Sequence, residues 1–182
     1  VRTVPTVWVG RDSGADLEEV LAAQGWEEAV VKPVVDLGAR NLRRVRAGEG
    51  PDALESILRR GGAIVQPFLP SVEEEGELSL IYIGGELTHA VRKRPAAEDF
   101  RVQSIWGGTV DLAEPDSSHL ELAERALAQL DEAPLYARVD IVEDPNGEPC
   151  LIELELIEPN LYLQTNPTAA EALADAALRT LA

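Results

Sequence analysis

Glu153 and Glu155 sit two residues apart in Cys150-Leu151-Ile152-Glu153-Leu154-Glu155-Leu156-Ile157, a run otherwise rich in Leu and Ile. On a β-strand such side chains leave the same face, with roughly 7 Å between their Cα atoms. Like charges on a part-buried face are costly unless a cation or hydrogen bonds offset them. A divalent metal is one reading; a strand whose glutamates simply face water is the other. Asp140 favours the metal. It lies in the apolar run Ala137-Arg138-Val139-Asp140-Ile141-Val142, and Asp144-Pro145-Asn146-Gly147 is the turn that pairs this strand antiparallel with the first. Across that hairpin all three carboxylates can approach one ion. Magnesium usually takes one or two carboxylates and fills its shell with water and phosphate oxygens. Asp140, Glu153 and Glu155 are therefore the expected metal ligands, for magnesium or, as an alternative, manganese.

A metal that carries a polyphosphate needs cations nearby. Lys32 ends the buried-looking run Ala29-Val30-Val31-Lys32, and the link Gly38-Ala39-Arg40-Asn41 can lay backbone N–H groups over phosphates. It is not a Walker loop, since neither Gly-Lys-Ser nor Gly-Lys-Thr occurs. With 33 acidic against 16 basic residues the net charge is −17, which argues against nucleic acid and anionic membranes as partners. The basic residues are nevertheless clustered, at Arg40, Arg43, Arg44 and Arg46 and at Arg92, Lys93, Arg94 and Arg101. Such clusters suit a small anion such as a nucleotide phosphate, although solvated loop charges would look the same. No apolar run approaches the roughly 20 residues of a membrane span, and no secretory signal opens the chain. The single Cys150 fits a reducing cytosol. It is read as a small core residue, and His89 and His119 as structural or solvent-facing.

The elements that must hold these groups are strands and helices in mixed order. Strands are expected at Thr6–Val9, Ala29–Lys32, Leu42–Val45 and 63–66. One helix is capped by Asp16 and stopped by Gly25, and another begins at Pro51. The prolines of Pro67-Phe68-Leu69-Pro70 make a rigid exit, so residues 1–66 and 67–182 are expected to form two subdomains. The second opens with an acidic loop at Glu73–Glu77. A hairpin through Gly84-Gly85 then joins strands at Leu78–Ile83 and Leu87–Arg94. Residues 95–108 read as irregular. Ser118 to Glu121 reads as a capping box, the metal-bearing hairpin follows with its second strand running to Ile157, and Asn166-Pro167 starts a last helix. The class is α+β.

Seven stretches together resemble the ATP-grasp superfamily, and within it the prokaryotic glutathione synthetase-like and RimK-like carboxylate–amine ligases. They are Val30-Val31-Lys32-Pro33, Ile64-Val65-Gln66-Pro67-Phe68-Leu69, Gly76-Glu77-Leu78-Ser79-Leu80 and Ala90-Val91-Arg92-Lys93-Arg94. Then follow Asp99-Phe100-Arg101 with Gly107-Gly108, Arg138-Val139-Asp140, and Glu153-Leu154-Glu155 through Pro159-Asn160. Each is weak alone; the order, over nearly the whole chain, is what is specific. The resemblance implies two subdomains that grip ATP between them. It implies that Lys32 serves the ATP phosphates, to which the link with Arg40 is the expected addition, and that the hinge Gln66, Phe68 and Leu69 serves the adenine. Glu77 would hold the ribose, with Glu75 as a substitute, and Lys93 would stand near the γ-phosphate. Arg101 would stabilise the acyl phosphate and the oxyanion. Asp140, Glu153 and Glu155 would hold magnesium.

The implied reaction is ATP-dependent ligation of a small carboxylate to an amine (or thiol), forming a C–N bond through an acyl phosphate. Two departures qualify it. Many relatives have Glu-x-Asn where this chain has Glu153-Leu154-Glu155, and the link to Pro159 is one residue longer, which leaves a substrate role for Asn160 open. Full-length relatives also carry a domain before the first matching strand, without counterpart here. A fragment of a longer ligase is therefore expected, with that N-terminal domain as a partner. A homo-oligomer and a non-catalytic ATP-binding module are the alternatives.

Overall fold

The computed structural model describes residues 1–50, 52–97 and 99–181; the expected helix start at Pro51 lies outside them. The chain divides into two compact units, Val4–Leu69 and Val1–Thr3 with Pro70–Ala182.

The smaller unit contains β1 (Val7–Val9), α1 (Leu17–Gln24), β2 (Glu28–Pro33), β3 (Arg43–Arg46), α2 (Asp52–Leu58) and β4 (Ala63–Pro67). Its antiparallel sheet has the order β1-β4-β2-β3. Alternation sends Val9, Ala29, Val31, Val45, Ala63 and Val65 to one face, where Leu17 and Leu21 of α1 and Leu54, Ile57 and Leu58 of α2 close the core. Lys32 and Gln66 belong to the opposite alternation. Helix α1 starts where Asp16 accepts a hydrogen bond from the Glu19 N–H at 3.1 Å, and it stops at Gly25, whose φ of 69° is left-handed.

The larger unit contains α3 (Ser71–Glu74), β5 (Glu77–Ile83), β6 (Glu86–Arg94), β7 (Thr109–Ala113), α4 (Ser117–Leu127), β8 (Tyr136–Glu143), β9 (Pro149–Glu155) and α5 (Pro167–Thr180). Its sheet is antiparallel in the order β7-β6-β5-β8-β9. Strand β5 is buried along its whole length. Leu78, Leu80, Tyr82, Ala90, Val139 and Ile141 pack with Leu122 and Ala123 of α4 on one face. Ile81, Ile83 and Val91 pack with Ala169 and Ala176 of α5 on the other. The β5–β6 hairpin turns on Gly84 and Gly85, both at positive φ (61° and 85°) as a two-residue turn of the mirror-image type requires.

The α+β class holds, with corrections in detail. Strand β7 was not expected; it is an edge strand whose Leu112 is exposed, so its apolar pattern is weak. The cap of α4 is Asp116, which accepts from the Ser118 and His119 N–H groups, so Ser118 lies inside the helix. The expected acidic loop begins as the short helix α3, and β9 ends at Glu155. Among the described residues no helix is long and apolar enough to cross a membrane.

Candidate active site

The register of β8 and β9 assembles the carboxylates. Asp140 stands opposite Glu153, and Arg138 opposite Glu155. Just beyond, Ile141 pairs with Leu151, so Ile152 is the extra residue of a bulge. That insertion lets Leu151 and Leu154, three residues apart, both pack in the cluster under α4, while Glu153 and Glu155 share the face of Asp140. The three residues offer carboxylate oxygens all within 4.8 Å of one another. Asp140 is fully buried, Glu155 half-buried and Glu153 exposed.

An ionised carboxylate cannot stay buried without compensation, and Asp140 has three neighbours that supply it. Ser79, its partner on β5, donates a hydrogen bond at 2.5 Å. The Arg138 guanidinium donates through Nε at 3.0 Å and Nη2 at 2.8 Å, and its Nη2 also bonds Glu155. The Lys93 ammonium lies 3.3 Å away and is itself hydrogen-bonded to Glu77, its cross-strand partner. Burial alone would raise the Asp140 pKa; Lys93 and Arg138 reverse that and hold it at about 2. Burial would lower the Lys93 pKa, but Asp140 and Glu77 raise it above the ordinary lysine value. Burial pushes Glu77 up to about 7 against the pull of Lys93.

The return from β9 to α5 is tied down at the same place. The Asn160 carbonyl accepts from Arg138 Nη1 at 3.3 Å, and its side chain caps the Tyr162 N–H at 3.0 Å. Glu158 and Tyr162 both hold left-handed backbone, with φ of 50° and 49°, a conformation that costs a non-glycine residue about 1–2 kcal/mol. His89 Nε2 bonds the Leu161 carbonyl at 3.0 Å and the Asn166 amide bonds the Thr88 carbonyl at 3.0 Å. His89 is therefore structural, and His119, buried against Glu143 at 2.9 Å, joins α4 to β8. Cys150 is buried.

The remaining expected residues lie elsewhere. Arg101 is held by Asp99, with Nη2–Oδ2 at 2.6 Å, and stacks over the Trp106 ring at 3.5 Å. That hydrogen bond leaves the Asp99 carboxyl at about 2. Glu75 is exposed beside Gly76, whose φ is 90° and where a Cβ would collide with the Lys93 carbonyl. In the smaller unit Lys32 is half-buried opposite Ile64, and Gln66 donates to Thr6 Oγ1 at 2.9 Å. Leu69 is buried, and the Phe68 N–H bonds the Glu28 carbonyl at 3.0 Å. Arg40 is exposed in a loop that Asp36 closes by accepting from the Asn41 N–H at 3.1 Å and Nδ2 at 2.8 Å.

Residues 2–161 match the family model described as prokaryotic glutathione synthetase, ATP-grasp domain. The chain belongs to that family. It is 30% identical to glutathione synthetase of Prochlorococcus marinus, over 87% of this chain and 51% of the relative. It is 29% identical to the cycloserine biosynthesis protein DcsG of Streptomyces lavendulae, over 97% of this chain and 64% of the relative. The crystal structure of D-cycloserine synthetase DcsG superposes with a TM-score of 0.87 at 27% identity, over 100% of this chain and 66% of that one. D-alanine–D-alanine ligase from Bacillus anthracis complexed with ATP shares the fold, with a TM-score of 0.67 at 18% identity, over 99% of this chain and 62% of that one. This ATP-grasp domain thus spans between half and two thirds of the length of these relatives.

Two residues that hold Asp140 were not singled out from the sequence, and both left a signal. Arg138 alternates with Asp140 and so must share its face. Ser79 is the polar residue between Leu78 and Leu80 on a fully buried strand.

Proposed function

We propose that this ATP-grasp domain binds magnesium–ATP and carries the catalytic groups of a carboxylate–amine ligase. The observation that supports it best is the convergence of Asp140, Glu153 and Glu155, with Arg138 and Lys93 beside them, inside a fold shared with ligases. Three oxygen donors this close suit a hard cation, magnesium or manganese. Such an ion, when bound, screens phosphate charge as phosphoryl transfer requires. In the proposed reaction a carboxylate oxygen attacks the γ-phosphorus of ATP and ADP leaves. An amine nitrogen then attacks the acyl carbon, inorganic phosphate departs, and the nitrogen loses a proton.

The chain's own residues prepare this. Lys93 and Arg138 keep Asp140 ionised, so a ligand oxygen is available without an acid–base step. Lys32 and Arg40 serve the phosphates, and the backbone of Gln66, Phe68 and Leu69 serves the adenine. Glu77, or Glu75 in its place, serves the ribose. Lys93 acts near the γ-phosphate, and Arg101 stabilises the acyl phosphate once it exchanges Asp99 for substrate. Asn160 borders the acceptor. The protein works in the cytoplasm, with the small acid, the amine and a further domain or a second copy as partners.

Calorimetry with magnesium–ATP is expected to show binding that Lys32→Ala weakens at least tenfold. ADP release is then expected on adding the right pair from a panel of amino acids and small dipeptides. Binding with no release across the panel would favour the non-catalytic module. The absence of binding would overturn both readings.

A further inference from the structure

A closed ring of contacts lies next to the hinge, inside the smaller unit, and the roles proposed above leave two of its members unused. Glu28 on β2 acts through both its backbone and its side chain. Its carbonyl accepts the Phe68 N–H at 3.0 Å. Its carboxylate receives Arg44 in two-pronged fashion, Nε at 2.6 Å and Nη2 at 3.1 Å. The Arg44 guanidinium in turn lies over the Phe68 ring, 3.5 Å from its centroid, which closes the circuit. Three segments far apart in sequence, β2, β3 and the exit of β4, meet in it.

Each link has a physical reason. Arg44 and Val30 are register partners on β3 and β2, which brings Arg44 beside Glu28, two residues earlier on β2 and so on the same face. A planar guanidinium can bond a carboxylate along one edge and stack an aromatic ring with its face at the same time; a lysine cannot do both. Arg46 adds a third bond to Glu28 at 3.2 Å, and these arginines hold the Glu28 carboxyl below its ordinary range, chiefly through the Arg44 hydrogen bond. The carboxylate therefore stays charged, and the stack stays assembled, throughout the neutral range.

We propose that the Glu28–Arg44 pair positions the hinge: it clamps the Phe68 ring, and so fixes the backbone through Gln66 to Leu69 in the arrangement that receives the nucleotide base. Arg44 is a positioning residue in this scheme, acting through Phe68 without touching ATP. The proposal rests on the ATP reading above and adds a determinant of base affinity to it. Gln66 is restrained from the other side by Thr6, so the hinge is held at both of its polar handles.

The test measures magnesium–ATP affinity by calorimetry on the chain and on Arg44→Ala, Arg44→Lys, Phe68→Ala and the Arg44→Ala/Phe68→Ala double variant, with melting temperatures alongside. Arg44→Ala is expected to weaken ATP about tenfold while shifting the melting temperature by only a few degrees. Arg44→Lys should restore part of the loss, since it keeps the charge but not the planar stack. Because Arg44 works through Phe68, the double variant should bind within about twofold of the weaker single variant. Losses that multiply, or an Arg44→Ala protein that binds like the parent, would overturn the clamp and leave the ATP reading standing. If Arg44→Ala does not fold, Glu28→Gln serves instead; it keeps the backbone link and weakens only the ion pair, and about threefold weaker binding is expected, against parent-like binding if the clamp is wrong. A parent that does not bind magnesium–ATP overturns the ATP reading first, and the clamp with it.

Discussion

The two faces of the five-stranded sheet are built from alternate residues of the same strands, yet they obey different rules. On the α4 face Leu78, Leu80, Val139 and Ile141 are sealed by Leu122 and Ala123. There stability grows with apolar area removed from water, about 25 cal/mol per Å², and neighbours of similar volume would serve nearly as well. The opposite face begins the same way under α5, with Ile81, Ile83 and Val91. Further along the same face it carries Glu77, Ser79, Lys93, Arg138 and Asp140, all buried. On that half, stability depends on each charge keeping its partner. A well-packed apolar set would be as stable or more so; under the proposed function this polar half serves the magnesium–ATP it would bind.

The largest effect that separates the faces should come from Arg138→Ala. Asp140 then stays fully buried with one of its cations gone, and about 3–5 kcal/mol of stability should be lost in urea denaturation. The melting temperature of that variant should rise more on adding magnesium than the parent's does, because an ion can take the place of the missing guanidinium. An equal rise in both would break the distinction between the faces.

Leu80→Ala is the matching experiment on the α4 face. Leu80 is fully buried, and about 2–5 kcal/mol should be lost. Here the magnesium-induced rise should equal the parent's, since a cavity under α4 leaves the carboxylates in place.

Glu155→Asn is expected to do less. It shortens the side chain by one methylene and removes the charge that Arg138 answers, so the magnesium-induced rise in melting temperature should shrink while ATP binding persists. Loss of ATP binding in this variant would show that Glu155 does more than share the ion.

The smallest effect expected is at Asp116, the cap of α4. Asp116→Ala should cost about 1 kcal/mol at neutral pH. The Ser118 side chain, then the His119 N–H, hold the Asp116 carboxyl at about 2 in the folded chain, below the unfolded value of about 3.9. A depressed carboxylate adds stability above the unfolded pKa and loses it as pH falls through the folded one. Parent and variant should therefore differ fully above about pH 4 and converge towards pH 2 in acid denaturation.

Much of this was legible in the amino-acid order. The alternation of Glu153 with Glu155, the apolar run around Asp140 and the turn between them contain the carboxylate-bearing hairpin, because a strand's period of two is a local property. The Asp16 cap, the Gly25 stop and the Gly84-Gly85 turn are local in the same sense. The Asp116 cap was overlooked because Ser118 and Glu121 offered a competing capping pattern two residues on. Strand β7 was overlooked because an edge strand needs only half an apolar pattern.

What only the tertiary structure decided are the pairings between segments distant in sequence. The carboxylates could be expected to converge, but not that Glu77 would engage Lys93 or that Ser79 would reach Asp140, because these depend on the register of β5 with β6 and β8. The bulge at Ile152 belongs to the same class: one extra residue reverses every side chain beyond it, and only packing against α4 selects it. So does Arg44, which looked like one member of a basic cluster until β2, β3 and the hinge met around Glu28. Sequence determined which groups were present and which faces they shared within a strand; the paired sheets decided which charges answer one another, since electrostatic compensation depends on distance in space.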